Sequence, residues 1–137
     1  YKVRYNYKMT EISGTIGVAQ LKKLEEFITR RREIARNYHK ALKNTKCKLP
    51  VEKSYAKHVY YRFVVLVDRL PHVLDELQKQ GINARRPGYK PLHQYLGMDG
   101  FKYTDYVYER ALSLPIYPGL NNDTLRFVIE KFTKVIG

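Results

Sequence analysis

From Thr10 to about Leu42 the apolar residues recur at helical spacing, with Ile12, Ile16, Ala19, Leu24, Phe27, Ile28, Ile34, Ala35, Tyr38 and Leu42 set among Lys, Arg and Glu. That period predicts one long amphipathic helix, with room for a kink. Ser13, Gly14 and Gly17 fall in its early turns, where each glycine costs up to about 1 kcal/mol relative to alanine. Small side chains there let another backbone come close, so this end of the helix is expected to pack against something large. Residues 43–58 are polar, contain Pro50 and read as a loop.

Val59 to Val67 is dense in β-branched and aromatic residues, the pattern of a buried strand. Pro71 suits the first turn of a helix running to Gln80, with Gly81 as its terminator, and Ile82 to Arg86 reads as a second strand. This strand, helix, strand order favours a right-handed crossover if the two strands are parallel, and leaves an antiparallel arrangement open. Residues 87–102 hold two prolines and three glycines and are expected to be irregular. Tyr103 to Ser113 reads as a helix and Leu114 to Tyr117 as a short extended piece between prolines. Asn121 or Asn122 can cap a last helix from Asp123 to about Val135, with Leu125, Val128, Ile129, Phe132 and Ile136 inward. The sum is a single α/β (α+β) domain over residues 1–137: a small sheet of two to four strands packed with the long N-terminal helix and further helices.

The 137 residues suffice for one modest core. The longest apolar run, around Phe63 to Val67, is far short of the roughly 20 residues of a spanning helix, so no membrane role is expected. A lone cysteine, Cys47, rules out an internal disulfide and suits a cytoplasmic setting. The chain opens at Tyr1 rather than Met, a hint that it is part of something longer. Its formal charge of +13 is uneven: residues 1–58 carry 15 Lys+Arg against 5 Asp+Glu, and residues 59–137 carry 11 against 8. Phosphate binding and a solvated basic helix face both fit that distribution.

Chemistry-bearing patterns are scarce. Histidines 39, 58, 72 and 93 are scattered without ligand spacing, so no metal site is expected. No nucleophile elbow or Gly-rich phosphate loop is present, and Cys47 has no neighbouring base, so no catalytic residue is assigned. The 13 tyrosines are read chiefly as packing rather than as ligand-stacking groups.

Four local patterns in order resemble one family. Arg4-Tyr5-Asn6-Tyr7-Lys8-Met9-Thr10-Glu11, followed by Gly17-Val18-Ala19-Gln20-Leu21, is similar to the opening motif of the small domain in the DegT/DnrJ/StrS sugar aminotransferases. Leu24-Glu25-Glu26-Phe27 and Arg30-Arg31-Arg32-Glu33 continue it. Tyr89-Lys90-Pro91-Leu92-His93 resembles the family's Y-x-P-L-H loop, and Leu112-Ser113-Leu114-Pro115-Ile116-Tyr117-Pro118-Gly119-Leu120 its segment before the terminal helix. Arg4 stands where the motif usually has glycine. The resemblance covers essentially the whole chain, but only the C-terminal portion of a family member. It implies the small C-terminal domain of a fold-type I pyridoxal-phosphate (PLP) aminotransferase, whose Schiff-base lysine lies in a large domain outside these residues.

The same resemblance implies roles for particular side chains. Asn6 would reach across a homodimer to the PLP phosphate, with Lys8 supporting that anionic neighbourhood. Tyr5, Arg86, Tyr89, Lys90 and His93 would contact a nucleotide-sugar substrate, with His93 equally suited to bracing its own loop. The intact enzyme would transfer an amino group from an amino acid, glutamate being the expected donor, to a keto sugar. The 137 residues alone would neither transaminate nor bind PLP, and would expose an apolar surface normally covered. A competing reading is a stand-alone basic module binding nucleic acid through Arg30-Arg31-Arg32 and exposed tyrosines, or a sugar nucleotide without turnover. Nucleic acid is the weaker of the expected partners.

Overall fold

In a computed structural model, residues 7–137 are described. Helix α1 spans Glu11–Leu21 and α2 spans Leu24–Leu42, so the long periodic segment is two helices joined at Lys22 and Lys23. Thr10 caps α1 by accepting from the Ser13 N–H, and Glu11 in its first turn complements the helix dipole. The two helices differ sharply in what they bury. No residue of α1 is buried, whereas α2 sinks Ile34, Ala35, Tyr38 and Leu42, one stripe along its second half, into the core.

Strand β1 (Phe63–Leu66) pairs antiparallel with β2 (Ala111–Leu114), with Phe63 opposite Leu114 and Leu66 opposite Ala111. Single-residue bridges flank this pair on both sides, Lys48 to Leu66 and Arg85 to Ser113. The expected strand at 82–86 is therefore reduced to the one bridge at Arg85. It does not pair with the Val59–Val67 segment, because β2 occupies that edge. The order of elements is antiparallel, without a crossover. The predicted helix over Tyr103–Ser113 ends at Arg110, since Ala111, Leu112 and Leu114 are all buried and the strand conformation lets them pair with β1. The extended piece thus begins three residues earlier than its sequence signals suggest.

Helix α3 (Leu70–Lys79) turns Leu70, Val73 and Leu77 inward. It ends where expected. Gly81 takes φ +75°, and the Ile82 N–H returns to the Leu77 carbonyl at 2.9 Å, closing the helix with a left-handed residue. A Cβ at Gly81 would meet nothing within 4 Å, so any penalty there is backbone strain alone. Gly81→Ala is expected to lower stability by about 1 kcal/mol in chemical denaturation. No loss would show that the left-handed turn is not required.

Residues 87–101 contain one turn of helix, α4 (Leu92–Tyr95), and α5 runs from Lys102 to Arg110. Helix α6 (Asn122–Ile136) is capped by Asn121, whose Oδ1 accepts the Thr124 N–H at 2.8 Å. Leu125, Val128 and Phe132 are buried on it, and Ile129 and Ile136 pack at the margin. The core is one layer of α2, α3 and α6 side chains against one face of the two-stranded sheet. At its centre the rings of Tyr38 and Phe63 stack at 4.8 Å. Burial pushes the Tyr38 hydroxyl well above the usual phenol range, and it donates to the Pro115 carbonyl at 2.8 Å.

Candidate functional site

The arginine triplet at the middle of α2 is half-buried, each side chain bonded within the chain. Arg31 Nη1 donates to the carbonyls of Tyr60, Tyr61 and Ile116 at 3.2, 2.9 and 3.1 Å. Arg30 holds Glu33, the Leu120 carbonyl and the Asn122 side chain. Arg32 bonds the Glu52 carboxylate and the His58 carbonyl, both at 2.7 Å. The Arg32 hydrogen bond, with the His58 N–H behind it, holds the Glu52 carboxyl below the usual carboxylate range. Arg30-Arg31-Arg32, the face that the competing nucleic-acid reading would use, is therefore a clamp on the chain's own loops: the donors that fill these backbone carbonyls are not offered to phosphates.

The tyrosines also depart from expectation. Among the described residues only Tyr38 and Tyr60 are buried. The exposed rings lie beside cations instead: Arg31 and Arg62 over Tyr61, Lys90 over Tyr95, and Lys48 and Arg110 over Tyr106. An amphipathic ring whose face attracts a cation is stable at the surface without core burial.

Residues 87–92 form an arch standing on α5. Pro87 and Pro91 restrict the backbone within it, and Gly97 and Gly100, at φ +63° and +92°, turn the chain from α4 back to α5. On one foot, Arg86 donates to the Tyr108 carbonyl with its guanidinium 4.8 Å over the Tyr108 ring. At the other, His93 Nε2 and Gln94 Nε2 meet Asp105 Oδ1 at 2.9 and 2.5 Å. Hydrogen bonds from Gln94 first and then His93 hold the Asp105 carboxyl below the usual carboxylate range. An ionised carboxylate only accepts, so His93 Nε2 carries the proton. The His93 ring stacks on Phe101 at 4.7 Å, and its carbonyl accepts the Met98 N–H.

This geometry sorts the expected site residues. His93 is 8% exposed and braces its own loop, with a partner for one ring face and for Nε2 inside the chain. Arg86 is likewise tied to α5. Tyr89, 95% exposed, and Lys90 stand on the crown of the arch and face solvent. Lys8 is exposed just before α1. Asn6 and Tyr5 lie outside the described residues. Between arch and α5 opens a pocket of about 490 Å³, lined by Arg86, Pro87, Pro91, Tyr103, Val107 and Tyr108 and mostly apolar. Asp105, Gln94 and Tyr108 were not singled out from sequence. No spacing announces them, because only the two glycine turns bring α5 under the arch.

Cys47 is buried, and burial pushes its thiol up from the ordinary range, against a weaker pull from its hydrogen bond with Thr45, so it stays a protonated packing group. Ile12, Ile16, Val18 and Leu21 of α1 are exposed, and neither Gly14 nor Gly17 has another backbone against it. The close packing expected at these glycines is not made by the described residues of this chain.

The family model for the DegT/DnrJ/EryC1/StrS aminotransferases matches residues 2–133. A relative in Methanocaldococcus jannaschii, named only as an uncharacterized protein, is 34% identical over 147 residues, covering 96% of this chain and 38% of its own length. GDP-perosamine synthase of Escherichia coli O157:H7 is 30% identical over 140 residues, covering 96% of this chain and 38% of the enzyme. Among solved structures, Helicobacter pylori PseC, described as an aminotransferase of pseudaminic acid biosynthesis, superposes with a TM-score of 0.88 over 99% of this chain and 40% of its own; at 24% identity this shows the shared fold. The chain thus spans about 38% of the length of these curated relatives.

Proposed function

Since this chain belongs to the DegT/DnrJ/EryC1/StrS aminotransferase family, we propose that it serves as the small domain of a PLP-dependent nucleotide-sugar aminotransferase, which moves an amino group from glutamate or a similar amino acid onto a keto sugar. The observation that carries this reading is the arch bonded to α5 at both ends. It raises Tyr89 and Lys90 into solvent on two feet anchored to α5, beside an apolar pocket. A cation and a phenol hydroxyl on a preorganised loop suit the diphosphate and hydroxyl groups of a nucleotide sugar, because little side-chain and loop freedom is lost on binding.

The described residues do not by themselves fit the cofactor. Every buried side-chain nitrogen and oxygen among them is already hydrogen-bonded, and the lining of the pocket beside the arch is mostly apolar, so they form no cradle for a phosphate dianion. No step through PLP is assigned to them. Asn6 and Lys8 are the residues of this chain proposed to approach the cofactor, across a homodimer. The exposed apolar residues of α1 are proposed to be covered in the intact protein by its remaining part. Cytoplasmic location is part of the same proposal.

The test is expression of the complete reading frame, followed by its absorbance spectrum and transamination assays with glutamate against GDP-, dTDP- and UDP-linked keto sugars. A cofactor band and turnover of one of these sugars are expected, while residues 1–137 alone give neither. Lys90→Ala in the complete protein is expected to raise the KM for the sugar nucleotide about tenfold, the loss of roughly one charge-assisted contact. No band and no turnover from the complete product, together with binding to any polyanion that weakens steeply with salt, would favour the basic-module reading instead.

A further inference from the structure

The two feet of the arch differ in kind. Arg86 meets a carbonyl and a ring on α5, which fixes where the arch begins. Downstream, a single carboxylate oxygen collects two side-chain donors from successive residues of α4, His93 and Gln94. Asp105 sits on the first turn of α5 and contacts neither the crown of the arch nor the pocket wall by any bond described. Its side chain is 36% exposed, so it is not a core residue whose loss empties a cavity. Only three residues separate Lys90 from Gln94, and Pro91 among them limits the backbone, so a shift of α4 is passed to the crown rather than absorbed.

We propose that Asp105 is the positioning residue of the substrate loop: by gripping His93 and Gln94 it sets the place of Tyr89 and Lys90, which touch the sugar nucleotide, without touching it itself. This rests on the reading of the crown as a substrate contact. The physical case is preorganisation. Without the carboxylate, His93 Nε2–H and Gln94 Nε2 lose their shared acceptor, α4 loses both of its side-chain bonds to α5, and the crown samples positions in which Lys90 misses the diphosphate. Misplacement of about 1 Å at a binding group is enough to cost up to two orders of magnitude. The damage falls on binding, because the reacting atoms belong to another part of the enzyme.

Asp105→Ala in the complete enzyme is expected to raise the KM for the sugar nucleotide about tenfold while kcat falls less than about threefold. Asp105→Asn keeps an Oδ1 acceptor in the same place for both donors, and is expected to return KM to within about threefold of the parent. In a Tyr89→Ala/Lys90→Ala background, Asp105→Ala is expected to add less than about twofold, since a residue acting through the crown has nothing left to position. An unchanged KM for Asp105→Ala, an asparagine variant as impaired as the alanine, or an undiminished penalty in the double background would each overturn the proposal. Should the alanine variant not fold, Gln94→Leu removes one donor from the same carboxylate and is expected to raise KM about threefold; no rise counts against the proposal. If Tyr89→Ala/Lys90→Ala itself leaves KM unchanged, the substrate reading of the crown fails and this inference with it. A response to that double variant without one to Asp105→Ala sinks the inference alone.

Discussion

Replacing Phe63 by alanine is expected to cost about 4 kcal/mol of folding free energy, since a fully buried phenylalanine loses both its transfer energy and the packing of the cavity it leaves. Phe63 is 0% exposed and stands at the meeting point of three elements. Its ring stacks on Tyr38 of α2 at 4.8 Å, receives the edge of His39 at 5.2 Å, and lies 6.1 Å from Tyr60 in the loop before β1. It also pairs in register with Leu114, itself buried, at the far end of β2. Tyr38 is held from collapsing into the space, because its hydroxyl is bonded to the Pro115 carbonyl. A domain of this size has only about 5–15 kcal/mol of stability in total, so the loss is a large fraction of it. Urea titration measures it directly. A change below about 1 kcal/mol would mean that the core is not centred on this ring.

The second large effect is expected at Arg31. Arg31→Met keeps the length and apolar stem of the side chain but removes every donor, leaving the carbonyls of Tyr60, Tyr61 and Ile116 without their shared partner. The expected loss is about 3 kcal/mol, because a charged donor is removed and the part-buried Tyr60 and Ile116 carbonyls are left unpaired. Arg31→Lys is expected to recover about half: its ammonium has three donors, but on a shorter reach and without the planar guanidinium. Tyr60 makes the position more sensitive. It holds φ 48°, a left-handed conformation that costs a non-glycine residue about 1 kcal/mol or more, and the Arg31 bond to its carbonyl is one of the contacts that holds it there. The same variant separates the competing readings of the basic helix. If Arg31 were a phosphate contact, Arg31→Met would weaken polyanion binding and leave stability unchanged; the clamp geometry predicts the opposite.

Much of the architecture was legible because its signals are local. Asn121 caps α6 through its own side chain, Gly81 closes α3 through its own φ, and the inward stripe of α6 follows from a 3.6-residue period. Those features depend on residues a few positions apart. β2 was not legible in the same way. Four residues, Ala111–Leu114, carry too short a pattern to outweigh the helical run before them, and only pairing with β1 makes them a strand. The triplet Arg30-Arg31-Arg32 reads from sequence as a charged surface, whereas the fold brings loops 85 and 90 residues away to meet it.

For the candidate site the division is similar. The motifs around Asn6 and the Tyr89–His93 loop, in their order along the chain, identified the family, and the matched model over residues 2–133 agrees with that reading. Motif order is a property of the chain alone. Which of those residues face solvent is not. Tyr89 and Lys90 are presented while His93 and Arg86 are tied to α5 because Asp105 and the Tyr108 carbonyl, distant in sequence, accept their donors once α5 folds beneath the arch. Local bonding and period are written residue by residue, so sequence determined most of the helical segments, the ends at Gly81 and Asn121, and the family. A donor's partner depends on which segments the core packs side by side, so only the tertiary structure decided which groups Arg30, Arg31, Arg32, Arg86 and His93 bond.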